Sequence, residues 1–357
     1  MTPRTVAAIA LAASAALGRA WTRPSATAIA GVDVLRPSAA LPVTIATSLR
    51  DPAAFFELST GESVVFDRRA GVVSVVDAAR TSARVLLDSA PEHGGLVAPS
   101  AIAVGPEDLI AVADSYGGYD RIQYFTGRGT RVGFFVLPDP PRSHVAVNGF
   151  QVNGIGSLQF AKQSFLVNLP ARGQLVSELS VQGETLRQFG QPRRIGDTAD
   201  PPLDAMLNIG IPLVDPTGGF AFVFQTGVPM LRKYDASGAL VFERHIEGPE
   251  LDASIAALPT VWRRPGGEGR LPITQPLVRS AAVDEQGRVW VGLGVPYVYV
   301  YDRRGEKIRT VQLNGAGPIV AESLSFAKGH RLLVTPGCYE FTIEHSANVI
   351  PGMRFPE

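Results

Sequence analysis

Pro99-Ser-Ala-Ile-Ala-Val-Gly-Pro-Glu-Asp-Leu-Ile-Ala-Val-Ala-Asp114, continued by Asp120-Arg-Ile-Gln-Tyr-Phe125 and by Arg131 to Leu137, writes four short strands in a row. Ser100–Val104, Leu109–Ala113, Arg121–Phe125 and Arg131–Leu137 are rich in β-branched and aromatic residues, and Gly, Pro and Asp stand between them where turns are needed. Helical periodicity is nearly absent from the rest of the chain, so the question is whether this unit repeats.

It does. Leu158-Gln-Phe-Ala-Lys-Gln-Ser-Phe-Leu-Val167 returns as Leu324-Ser-Phe-Ala-Lys-Gly-His-Arg-Leu-Leu-Val334, and Val214 to Phe222 returns as Val283 to Val291. Each reads as a strand end, a tight turn and an alternating strand, which is a hairpin. A later turn is more regular. Tyr301-Asp-Arg-Arg-Gly305, Tyr234-Asp-Ala-Ser-Gly238, Leu179-Ser-Val-Gln-Gly183 and Phe125-Thr-Gly-Arg-Gly129 place an apolar residue four before a glycine expected at positive φ. Val76-Asp-Ala-Ala-Arg80 fits with Arg for Gly, and Ile343 to Ala347 fits more loosely. Six such units of roughly fifty residues, each of about four strands, predict an all-β chain folded as a six-bladed β-propeller of four-stranded antiparallel blades.

The run from Ala101 to Asp114 with Asp120 to Phe125 resembles the NHL-repeat blade, in which an apolar strand, a turn, Val-x-Asp and Arg-Ile-Gln-x-Phe follow one another. The resemblance implies the propeller fold and carries no particular activity. The same stretch is similar to the gluconolactonase and regucalcin family, where an Asp after the second strand reaches a central metal. That likeness makes Asp114 the candidate catalytic residue of an alternative reading, a metal-dependent lactonase-like hydrolase using a divalent ion such as Ca. Ser100 stands where that family has Asn, and the family's Glu-Gly-Pro opening is missing.

The last blade runs short, with Pro351 and Pro356 after Ile343. The isolated alternation Pro42-Val-Thr-Ile-Ala-Thr47 is therefore expected to close the ring by pairing with Tyr339 to Ile343, which covers both open edges. Residues 21–41 then read as a linker and 42–357 as one propeller domain.

Extra residues collect in three connections, Pro138–Gly149, Gln191–Leu207 and Gly248–Pro276. Each leads from an outer strand to the next inner strand and so emerges on one face of a propeller. The first carries Arg142 and His144, the second Arg193, Arg194, Asp197, Asp200 and Asp204, and the third a two-turn helix over Leu251–Leu258 followed by Trp262, Arg263 and Arg264. Tryptophan beside paired arginines offers stacking and bidentate hydrogen bonds to an anionic or sugar-like ligand, so Arg193, Arg194, Trp262, Arg263 and Arg264 are the expected ligand-binding residues.

Composition narrows the partner. Forty-five per cent apolar against 18% charged residues excludes a disordered or fibrous chain. Thirty-three basic residues, only Lys162, Lys233, Lys307 and Lys328 of them lysine, balance 33 acidic ones, so no net field draws nucleic acid. His93, His144, His245, His330 and His345 lack metal-ligand spacing, and Cys338 is the single cysteine. Residues 1–20, with Arg4, an apolar run from Val6 to Leu17 and Gly18-Arg19-Ala20, look like a signal peptide. That run is too short to span a bilayer, and no later stretch approaches the length of apolar sequence that a span needs. The expectation is an exported protein, periplasmic or extracellular, acting without a cofactor as a binding module for a protein, peptide or saccharide.

Overall fold

In the computed structural model the described residues are 31–89, 95–116, 119–137, 145–147, 150–152, 155–194, 200–262 and 275–343. Gly31–Glu357 forms one compact unit. Its chain opens with β1 (Asp33–Leu35), β2 (Ala39–Ala40) and a single helical turn, α1 (Val43–Ala46). Blade 1 follows as β3 (Pro52–Glu57), β4 (Ser63–Asp67), β5 (Val72–Val76) and β6 (Ala83–Leu87), and blade 2 as β7 (Pro99–Val104), β8 (Ile110–Tyr116), β9 (Tyr119–Phe125) and β10 (Arg131–Val136). A hairpin of β11 (Val145–Val147) and β12 (Phe150–Val152) precedes blade 3, which is β13 (Leu158–Ala161), β14 (Ser164–Asn168), β15 (Val176–Ser180) and β16 (Thr185–Phe189). After α2 (Pro201–Leu207), blade 4 is β17 (Gly210–Val214), β18 (Phe220–Phe224), β19 (Met230–Tyr234) and β20 (Leu240–His245). After α3 (Asp252–Ala256), blade 5 is β21 (Val278–Val283), β22 (Val289–Leu293), β23 (Val298–Tyr301) and β24 (Lys307–Leu313), and blade 6 has β25 (Ser323–Ala327), β26 (Arg331–Thr335) and β27 (Tyr339–Thr342). Neighbouring strands pair in chain order within each blade, all antiparallel.

Second strands show how the sequence makes blades stack. Their apolar runs are buried on both faces, and the two-residue period of a strand sends alternate side chains to opposite neighbours. Val64 and Phe66 enter the cluster shared with blade 2, while Val65 enters the one shared with blade 6. Phe165 and Val167 pack with blade 2 and Leu166 with blade 4. Val289 and Val291 pack with blade 4, and Trp290 turns to blade 6. The core is thus a series of inter-blade layers. Near the axis side chains staple one blade to the backbone of the next: Ser100 to the Ile155 carbonyl, Ser157 to Gly210, Gln225 to Arg279, Ser280 to Ala321 and Ser325 to Phe55, at 2.5–3.1 Å.

The expected turn glycines are in place. Gly129, Gly183, Gly238 and Gly305 have φ of 80–88°, and Arg80, their counterpart in blade 1, has φ 57°. The sixth position, Ala347, lies outside the described residues.

The N-terminal segment does close the ring, but with other residues than the alternation indicated. Ala39 and Ala40 pair antiparallel with Glu340 and Tyr339, giving blade 6 its fourth strand, and β1 adds to blade 5 as a fifth strand parallel to β24. Val43–Ala46 is helical instead of extended. Pro42 has no N–H for a ladder, and its carbonyl accepts from Ile45 and Ala46 at 2.9 Å, so the apparent period of two over so few residues is one turn of helix with Ile45 inward and Val43 outward. The stretch read as a linker therefore contributes two short strands.

Candidate functional site

Connections from an outer to an inner strand share a face with the turns joining second to third strands, and two of the three long ones meet there. In the connection between β16 and β17, Asp200 caps α2 by accepting from Leu203 N, with proline in the first helical turn. Buried Asn208 closes the helix. Its side chain accepts from Arg193 N at 2.7 Å and donates to the Arg193 and Asp204 carbonyls at 2.8 and 2.7 Å. The apolar side of α2, Leu203, Met206 and Leu207, is where half-buried Trp262 of the next connection packs. That connection is anchored at its start by buried Leu251 and by Tyr299, whose hydroxyl donates to Glu250. Its helix is one turn, Asp252–Ala256, shorter than the expected two.

Arg193 lies flat against Phe224, 3.8 Å from the ring centroid, and donates to the carbonyls of Val228, Leu207 and Thr226 at 2.5, 2.8 and 2.9 Å. Burial, and secondarily the neighbouring Arg232, pull its guanidinium down to about 10. These contacts make Arg193 a bracket between α2 and the turn after β18. Arg194, next to it, is exposed. Arg142, His144, Asp197, Arg263 and Arg264 lie outside the described residues.

One further cation on the inner edge of this face had no signal in the sequence. Arg279, the second residue of β21, stands 3.6 Å from Glu322, and its buried Nε makes no hydrogen bond. An arginine inside an otherwise strand-like pattern reads as an outward residue, and only the packing of neighbouring inner strands brings it against Glu322, which leads into β25.

Asp114 has a different employment. Its carboxylate accepts from Val97 N and Ala98 N (3.0 and 2.6 Å), from Arg121 Nε and Nη2 (2.9 and 2.5 Å) and from Gln123 Nε2 (3.2 Å). Asp114, Arg121 and Gln123 are 2%, 8% and 0% exposed, which seals the group from the axis. Blade 1 repeats the device, since Asp67 accepts from Arg50 N and Asp51 N at the same sequence offsets. The Val-x-Asp element thus ties the incoming connection to its own blade. Among the described residues no three His, Cys, Asp or Glu side chains gather as a metal-binding group.

No protein-family model matches the sequence, and no curated protein matches it. Solved structures do. A streptogramin B lyase matches with a TM-score of 0.51 at 12% identity, over 80% of this chain and 76% of that one. A virginiamycin B lyase from Staphylococcus aureus (TM-score 0.47, 10% identity, 80% and 77%) and the WD40 β-propeller domain of Doa1 (0.45, 11%, 83% and 94%) are also found. Likeness at this identity is one of fold, and the fold is the propeller that the blades already display.

Proposed function

We propose that the chain is an exported binding module whose ligand face is built from the long inter-blade connections. The observation that carries the proposal is the meeting of two separate insertions on α2, with Trp262 packed on its apolar side and Arg193 bonded to its last carbonyl. Loops set on a rigid scaffold are where a repeat fold acquires specificity. On this reading Arg193 shapes the surface, and Arg194, the open side of Trp262, Arg263 and Arg264 meet the ligand, an acidic peptide or anionic saccharide held by guanidinium forks with the indole as stacking surface. Export rests on the leader-like residues 1–20 and is checked by N-terminal sequencing, expected to start at or near Trp21.

A hydrolase centred on Asp114 with a divalent metal finds no comparable support, since that carboxylate is already committed to two backbone N–H groups, the Arg121 fork and Gln123, and a metal would have to displace them. The test is an array of acidic peptides and charged glycans probed with the protein and with R194A and R263A/R264A. Binding of at least one class, weakened severalfold or more in the variants at unchanged melting temperature, is expected. Equal binding by all three proteins would remove these residues from the face.

A further inference from the structure

Outer strands are the exposed edges of a propeller, and four of the six here carry charge along them or are covered. β6 holds Arg84, β16 Arg187 and β20 Glu243 and Arg244, while β24 lies under β1. Charged side chains of this kind discourage further strand pairing. β10 carries its one charge only at its start, where the Arg131 guanidinium lies 5.4 Å from the Phe134 ring centroid. After Arg131 it runs Val-Gly-Phe-Phe-Val, and Val132, Phe134 and Val136 are 59%, 52% and 46% exposed. Among the described residues no strand pairs with its outer edge.

Backbone geometry puts the free hydrogen-bonding groups on the same residues. Leu137 N–H donates to the Asp120 carbonyl at 2.8 Å, and the register past the bulge at Val132 is regular through Phe134↔Gln123, Phe135↔Ile122 and Val136↔Arg121. Alternation along an antiparallel ladder then directs Phe135 and Leu137 inward to β9, and Phe134 and Val136 outward. Blade 5 shows that an outer strand of this molecule accepts an addition there: β1 pairs with Val311, Gln312 and Leu313, which occupy the places on β24 that Phe135, Val136 and Leu137 occupy on β10.

We propose that β10 is a homodimer contact, in which two copies of this chain join their second blades into one continuous sheet through antiparallel β10–β10 pairing about a two-fold axis at Phe135. The occupant is a second copy because the segment is self-complementary. With Phe135 on the axis, Phe134 lies opposite Val136 of the second copy and Val136 opposite its Phe134, so both outward residues meet outward residues, apolar meets apolar, and the two Arg131 groups fall at opposite ends. A pairing of so few residues lies below the area of standard interfaces, roughly 1,200 Å², so the dimer dissociates on dilution.

Sedimentation equilibrium from about 5 to 500 µM tests this in the range where weak interfaces populate. The weight-average mass is expected to rise toward twice the monomer. F134K and V136K, each leaving far-UV circular dichroism and melting temperature unchanged, are expected to hold the protein monomeric throughout, and L186K on the equally exposed outer strand of blade 3 to behave as the parent. If F134K fails to fold, V136K decides alone. A parent monomeric at the highest concentration, or a dimer that neither substitution weakens, overturns the proposal; so does a dimer dispersed equally by L186K.

Discussion

Asp114 shows how much one buried carboxylate does once its partners are counted. It joins the connection into blade 2 to β8 and β9 by accepting two backbone N–H groups and the Arg121 fork. Removing Asp114 takes from Arg121 the carboxylate it grips with two N–H groups and from Val97 and Ala98 their acceptor, so D114A is expected to destabilise by about 3–5 kcal/mol, and D114A/R121A by less than the sum of the single changes. Chemical denaturation of the four proteins checks this, and additive effects would mean the two side chains act independently. Cys338 supplies a second residue-level test. Burial pushes its thiol up to about 12. A group whose pKa is higher folded than unfolded stabilises fully below its unfolded value, about 9, and that contribution is lost as pH rises from there toward 12. Native protein at pH 8 should therefore leave a thiol reagent unreacted and guanidine-unfolded protein should consume one equivalent. Between pH 9 and 10 both proteins should lose stability as the unfolded tyrosines, with an ordinary pKa of about 10, begin to ionise, and the fall should be steeper in the parent than in C338A, the excess being the thiol's.

Turns and strands were the legible elements. The strand patterns of blade 2 and the glycines at 129, 183, 238 and 305 could be read because each follows from local backbone chemistry, a positive φ or a period of two. Arg80 could be placed but not explained. It adopts the glycine conformation, and its guanidinium reaches Glu340 of blade 6 at 2.5 Å across a sequence separation no local rule covers. Replacement by Ala removes that partly buried pair and keeps the strained backbone; replacement by Gly removes the pair and relieves the strain. R80G should thus be the more stable of the two by roughly 1 kcal/mol, and thermal melts giving R80A the higher midpoint would contradict that account. The candidate site was legible only as a list of residues. The convergence of Trp262 and Arg193 on α2, the exposure of Arg194 beside a committed Arg193, and the arrival of Arg279 at the inner edge all depend on which blades are neighbours. Trp262→Ala is expected to lower stability by about 1–2 kcal/mol, less than truncation of a fully buried tryptophan, because only part of the ring is covered by Leu203, Met206 and Leu207. A loss above about 3 kcal/mol would make the indole a core residue and leave little of it for a ligand.

Ring closure is decided by the whole molecule, since the seam between blades 6 and 1 joins the two ends of the described chain. Three kinds of contact hold it. The ladder is short, Ala39 and Ala40 on Glu340 and Tyr339, extended by Ser38 N to the Glu340 carbonyl at 2.8 Å and Leu41 N to the Cys338 carbonyl at 3.2 Å. An apolar layer of Leu41, Ile45, Phe55, Val65, Val76 and Leu333 fills the interior. An ionic net links Arg80 and Glu57 of blade 1 to Glu340 and Arg331 of blade 6. A chain begun at residue 42 keeps the net and most of the layer but loses the ladder, the 4%-exposed Leu41 and the cover that β1 gives β24. Loss of the buried leucine alone is worth about 2–5 kcal/mol, and two newly bare sheet edges add a tendency to associate. The 42–357 protein is therefore expected to melt well below the 31–357 protein and to aggregate on concentration, whereas L41A in the longer chain should reproduce the drop in midpoint without the aggregation. If 42–357 stays monomeric with the midpoint of 31–357, the ring is closed by the ionic net and the apolar layer, and the N-terminal strands are an ornament on its rim.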